Sequence, residues 1–271
     1  MSEWDEVFEE PPRVDRYLET PGLNWSTLKL MDQSPLALQD ALAHGRGDTE
    51  WMLLGRAIHC YALERSEFHD RYAVAPHFGD GRTKAAKKAK TAFLNDASGR
   101  EVVSHQHWIT VQACGEALAK HKVARKLLEG KREHIATWTH SGTGIACKGR
   151  MDVVGERVVD LKSTGLQSER LIFSDAASRL YYGQGAWYHD GATTAGLIRP
   201  NAPLPANVWV QTCRPYDVLC AEMEEETYLA GLRLYERLLA EYQGCMATDW
   251  WPGMAPELKS WRLPVWARET S

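Results

Sequence analysis

Residues 145–164 read IACKGRMDVVGERVVDLKST. Two apolar runs, Ile145–Val154 and Val158–Leu161, flank Gly155-Glu156-Arg157. β-Branched residues on either side of a Gly-containing turn predict a β-hairpin. With the turn centred on Glu156, Asp152 stands four residues before the centre and Asp160 four after it. Opposed residues of an antiparallel pair share a face, with Cβ atoms about 5 Å apart. Strand alternation adds Lys162 and Arg150 to that face. A register slip of one residue would scatter the set, so the alignment is conditional on the turn.

Two carboxylates that close repel by about 3 kcal/mol at an effective dielectric of about 20. Either one keeps a proton or a cation stands between them. Oxygen-rich sites of this kind suit Mg2+ or Mn2+. An amine two residues beyond the second Asp can reach an attacking water or a phosphate oxygen. Metal-assisted phosphodiester hydrolysis needs these parts. The alternative on these residues alone is a salt-bridged surface hairpin in which Lys162 pairs with an Asp. D…DxK recurs by chance, and here the two readings stand level.

The chain has 271 residues, enough for one large domain or two small ones, and it can bury about three quarters of its unfolded surface. Its 44% hydrophobic and 25% charged content is that of a globular protein. There is no apolar run long enough to span a membrane, and the acidic start MSEWDEVFEEPP is no signal peptide. The six cysteines are scattered without a CxxC, which predicts reduced thiols in a cytoplasm and argues against zinc or an iron–sulfur cluster. The net charge of -4 does not exclude DNA, because only the contacting face must be positive. Charge is uneven: residues 1–19 carry seven acids and two arginines, whereas residues 82–90 carry one arginine and four lysines with no acid.

Along the chain, residues 1–20 are expected to be a mobile acidic leader and residues 21–271 a single domain. Ser26 is expected to cap one helix, and Ser34-Pro35 opens another that runs to about Ala43. Trp51–Leu63 reads as a helix apolar on nearly every face, and therefore buried. His59 lies in it; a core histidine is the commoner reading, but the small residues Gly55 and Ala57 admit a close approach. Glu64, about 140° around that helix from His59, is expected to face elsewhere. Thr83–Asn95 is a basic helix with Lys84, Lys87 and Lys88 on one face, either solvated or touching phosphate. Ser104 starts a helix that continues to Leu128, and Ile135–Thr139 is a strand. One helix is predicted over Ser174–His189, with Gln184 and Tyr188 a turn apart. Gly183 and Gly185 each cost about 1 kcal/mol in a helix interior, so something must lie close: the sheet or a DNA backbone. Strands Asn207–Cys213 and Tyr216–Glu222 and a helix Glu224–Tyr242 follow.

In order along the chain stand GRAIH (55–59), ALE (62–64), KGRMD (148–152), VVDLKST (158–164), YYGQGAWYHDGA (181–192) and LPVWARE (263–269). Together these motifs resemble the nuclease domain of exodeoxyribonuclease VIII, the RecE-type branch of the PD-(D/E)xK nuclease superfamily, from about Pro21 to the C-terminus. Each motif is weak alone; their order is fairly specific. The resemblance implies a mixed α/β (α+β) restriction-endonuclease-like core, a central mixed β-sheet flanked by helices. It implies 5′→3′ degradation of linear double-stranded DNA from its ends, leaving 3′ single strands for recombination in a bacterial or phage-infected cytoplasm. It makes His59, Asp152, Asp160 and the Leu161 backbone carbonyl ligands of two Mg2+ or Mn2+ ions, Lys162 the residue that positions or activates the water, and Gln184 and Tyr188 a QxxxY pair on the scissile strand. It further implies a homo-oligomeric ring threaded by DNA and a single-strand annealing partner, with no membrane. The family's long N-terminal extension is not in this sequence, so the catalytic domain alone is expected. Arg150, Arg46, Arg56, Lys84, Lys87 and Lys88 are candidates for DNA phosphates, and a ring reconciles them with a net-acidic chain. A structure-specific endonuclease and a non-catalytic DNA-binding recombination partner remain as alternatives.

Overall fold

The structure is a computed structural model and describes residues 14–45, 47–78, 82–97, 99–255 and 257–262. Arg46 and the LPVWARE motif lie outside the described residues, as does the first part of the expected leader. Residues Val14–Glu19 of that leader form a helix, α1.

A small parallel pair, β1 (Tyr72–Val74) and β2 (Glu101–Val103), stands apart from the main sheet. The main sheet has the order β3 (Lys131–Thr139), β4 (Ala146–Val154), β5 (Val158–Thr164), β6 (Ala206–Gln211) and β7 (Val218–Glu222). All neighbours are antiparallel except β5 and β6, so the sheet is mixed. β6 is buried along its whole length and β5 from Val158 to Leu161, as central strands covered on both faces must be.

Two helical layers cover the sheet. The helices are α2 (Trp25–Leu28), α3 (Pro35–His44), α4 (Glu50–Leu63), α5 (Phe68–Arg71), α6 (Lys84–Asp96), α7 (His105–Lys120), α8 (Lys122–Leu127), α9 (Glu169–Ser178), α10 (Tyr181–Thr194) and α11 (Glu225–Thr248). One core joins Val154 and Val158 of the hairpin to α2, α3, α10 and α11 through Trp25, Leu38, Trp187 and Leu238. The other joins Val153, Val159 and Leu161 to α4, α5, α7 and α8 through Ile58, Phe68, Val111 and Ala124. Successive hairpin residues thus serve opposite cores, as the period of two requires.

Local chemistry sets the helix starts. The side chains of Ser34, Thr49, Thr83, Ser104 and Ser168 each accept the backbone N–H three residues on, worth about 1 kcal/mol apiece. Four expectations are corrected. Asn24, not Ser26, caps α2: Asn24 Oδ1 accepts from Thr27 N, and the Ser26 hydroxyl donates to the same oxygen. The helix begun at Ser104 breaks at His121, whose ring accepts from Ala124 N and starts α8. The helix predicted over Ser174–His189 is two helices, parted at Leu180 in the left-handed region (φ 60). The first turn of α4 is not buried, with Trp51 73% exposed.

Packing within the protein accounts for Gly183 and Gly185. A Cβ at Gly183 would collide with the Trp25 ring, and one at Gly185 would fall 2.5 Å from Met223 Cε.

Candidate active site

The hairpin register is centred on residue 156, pairing Val154 with Val158 and Val153 with Val159. Ladder pairing stops there. The next residues, Asp152 and Asp160, stand at the mouth of a fork where β4 and β5 part. Leu161 N–H, a group that would serve a ladder, donates instead to Asp152 Oδ2 at 2.7 Å. The fork opens into a cleft of about 870 Å³. Asp152, Asp160, Lys162, His59, Gln184 and Tyr188 all line it, so residues from both helical layers meet there.

Lys162 Nζ lies 2.5 Å from Asp160 Oδ2, and its ammonium sits over the Tyr181 ring at 4.7 Å. The lysine–aspartate pair foreseen as an alternative therefore exists, but inside the cleft and not on the surface. Asn207 of β6 donates to Asp160 Oδ2 at 3.2 Å. Asp160 is thereby tied to Lys162 and Asn207. The groups that converge as a candidate metal cluster are His59, Asp152 and Glu133, whose ligand atoms lie within 4.8 Å of one another. His59 Nδ1 is 3.5 Å from Asp152 Oδ2, so α4 turns its histidine towards the hairpin carboxylates.

Glu133 was not anticipated. β3 begins at Lys131, four residues before the predicted start. Glu133 has φ 47, and the β3–β4 ladder skips the position where it would oppose Asp152. Its carboxylate pairs with Arg150 Nε at 3.0 Å. Glu64 is also placed differently from expectation. Helix α4 ends at Leu63, and Glu64 leaves the spiral with φ −134 and lines the same cleft, buried against Arg71. The 140° rotation between His59 and Glu64 applied to a helix that does not extend so far.

On the other wall, Gln184 Nε2 donates to Tyr188 Oη at 3.4 Å. Gly149 of β4 lets the tyrosine ring approach; a Cβ there would fall 2.9 Å from Tyr188 Cε1. Burial pushes the Tyr188 phenol well above its ordinary value, so it remains an O–H donor. Arg56 lines the cleft but is already engaged by Asp48 and Glu101. Lys84, Lys87 and Lys88 are exposed on α6 and do not line the cleft.

Burial opposes the charge on Lys162, but Asp160 and Asp152 outweigh it and hold the amine above its usual range. Lys162 is therefore an ammonium that donates. Burial likewise opposes ionisation of Asp152, yet His59, Lys162 and the Leu161 amide keep it below the ordinary carboxylate value. Asp160 is raised by burial and by Asp152, against the pull of Lys162. Burial and the Asp152 charge push Glu133 from 4.5 to about 7. Between about 4.5 and 7 the folded chain thus holds a proton that the unfolded chain has released. Stability from this group is present at pH 4.5 and falls as pH rises to 7. Urea unfolding midpoints in EDTA should fall from pH 5 to pH 8, and Glu133→Gln should flatten that slope; a parallel slope in the variant would remove Glu133 as its source.

A mixed five-stranded sheet covered by helices, forked at an Asp and a DxK lysine, defines the restriction-endonuclease-like, PD-(D/E)xK class of nuclease fold. The chain belongs to the family described as PDDEXK-like domain of unknown function (DUF3799), whose profile matches residues 24–264. It is similar to a crystal structure from Eubacterium rectale that is named, provisionally, as an exonuclease. The two share 11% identity with a TM-score of 0.58, over 97% of this chain and 98% of that one. At this identity the likeness concerns the fold alone. No match is found among curated proteins. Among the described residues, no helix is long and apolar enough to cross a membrane. Nucleases of this class generally use divalent metals, and the donors fit one: an imidazole and carboxylate oxygens.

Proposed function

We propose that the chain is a metal-dependent exodeoxyribonuclease of the RecE type, degrading linear double-stranded DNA 5′→3′ from its ends. We further propose that it acts as a homo-oligomeric ring and hands the resulting 3′ single strand to an annealing protein. The observation that carries the reading is the convergence of His59, Asp152, Asp160 and Lys162 with Gln184 and Tyr188 in one cleft. The order of the motifs along the chain favours an exonuclease over other nucleases of the class.

His59, Asp152, Asp160 and the Leu161 carbonyl would hold Mg2+ or Mn2+, which supplies Lewis-acid polarisation of the phosphate and a more acidic water. Lys162, already an ammonium, donates to the attacking water and to the charge that grows on the phosphoryl oxygens. Asn207 fixes the Asp160 carboxylate from behind, as partners of a ligating carboxylate generally do. Gln184 and Tyr188 offer an amide and a phenol O–H to the phosphate of the scissile strand. Incubation with Mg2+ and a linear duplex should release nucleotides, EDTA should stop it, and a covalently closed circle should stay intact. Equal release in EDTA would end the metal reading; cutting of the circle would make the protein an endonuclease.

A further inference from the structure

We propose that Glu133 is a ligand of the divalent ion, and that Arg150, released when the ion takes Glu133, becomes the guanidinium that grips the scissile phosphate. This rests on reading the cleft as a metal-dependent nuclease site. Ligand oxygens and nitrogens sit about 2.1 Å from Mg2+, so opposed ligands lie about 4.2 Å apart. The Glu133, His59 and Asp152 atoms, within 4.8 Å of one another, need only a slight contraction to close on one ion. Asp160 is meanwhile held by Lys162 and Asn207. Glu133 reaches the cluster from a left-handed backbone at φ 47, a conformation that costs about 1–3 kcal/mol in a residue other than glycine.

Arg150 is the cation placed to be exchanged. Arg56 stands between Asp48 and Glu101, and Arg71 between Glu64 and Glu67. Neither pair of acids belongs to the metal cluster. The ion-pair partner of Arg150 is Glu133, which does. A doubly charged ion at short range outcompetes a guanidinium for that carboxylate. The guanidinium cannot lose its charge, and its planar fork matches a phosphodiester. Its side chain is 30% exposed, and its Cζ lies 5.7 Å from the centre of the Tyr17 ring; both residues line the cleft. It can therefore swing from Glu133 to a bound strand without leaving its strand position.

The test uses the full chain and two binding measurements without turnover. One is Mn2+ titration followed by the electron paramagnetic resonance of the free ion, in the absence of DNA. The other is anisotropy of a labelled duplex in EDTA and in Ca2+. Glu133→Gln should weaken Mn2+ at least about tenfold. Arg150→Ala should tighten Mn2+ severalfold, because the competitor is gone, and should abolish the gain in duplex affinity that Ca2+ gives the parent. Mn2+ affinity unchanged in both variants, or a Ca2+-dependent gain retained in Arg150→Ala, would overturn the proposal. Should Glu133→Gln fail to fold on a thermal melt, the Arg150→Ala arms decide alone. Asp152→Asn separates the two levels: if it too binds Mn2+ like the parent, the metal-site reading itself fails. If Asp152→Asn loses the ion and Glu133→Gln does not, only the present inference fails.

Discussion

Lys162→Ala should cleave a linear duplex about 100- to 1000-fold more slowly than the parent while binding it nearly as well in Ca2+. The magnitude is that of removing one pre-placed donor from a developing oxyanion. Lys162 is suited to that role. Its side chain is 16% exposed, its Nζ is 2.5 Å from Asp160, and the paired aspartates keep it charged. The substitution has a second consequence. Breaking a buried ion pair from one side costs about 3–5 kcal/mol, because Asp160 would be left with Asn207 alone. A divalent ion neutralises that carboxylate, so Mn2+ should raise the variant's Tm more than the parent's. Single-turnover cleavage beside thermal melts with and without Mn2+ makes the measurement. A variant that still cuts within tenfold of the parent would strip Lys162 of its role.

What could be read from the sequence was what is local. The hairpin, its turn centre and the DxK spacing lie within twenty residues and follow from β-branching, one glycine and a period of two. The fold class followed from the motif order, and the mixed sheet bears it out. The site was legible only in part, for three physical reasons. Glu133 breaks strand alternation with a left-handed residue, so the period of two is legible only from Ile135 onward and Glu133 falls outside the expected strand. Asn207 reaches Asp160 through a parallel pair separated by 47 residues, a contact that no spacing rule predicts. Tyr17 lies in a stretch whose acidity suggests a leader, yet Lys148 Nζ donates to the carbonyls of Tyr17 and Thr20 and ties that segment to β4. The break between α9 and α10 was invisible for a related reason: Leu180 adopts φ 60 without being glycine or asparagine, so its conformation is imposed by packing.

Gly231→Leu should unfold the protein far more readily than any surface change, because the crossing of α10 and α11 has no room for a side chain. A Cβ at Gly231 would land on the Tyr182 carbonyl oxygen and 2.9 Å from Ala186 Cβ. The first of these is helix backbone and cannot turn aside. Overpacking of this kind costs about 3 kcal/mol or more, and in a chain of this size each kcal/mol lowers Tm by about 2–4 °C. A loss of about 10 °C is expected, checked by a calorimetric or circular dichroism melt. The damage also travels. Gln184 lies between Tyr182 and Ala186 on α10, and Tyr188 follows within the next turn. Forcing the helices apart therefore withdraws the amide and phenol from the cleft, while His59, on α4 in the other helical layer, stays in place. Whatever fraction remains folded at low temperature should keep the Mn2+ affinity of the parent yet bind a duplex in Ca2+ several-fold more weakly. A melt unchanged from the parent would mean that α10 and α11 do not cross at Gly231; duplex and Mn2+ affinities falling together would mean that the two walls of the cleft are not independently built.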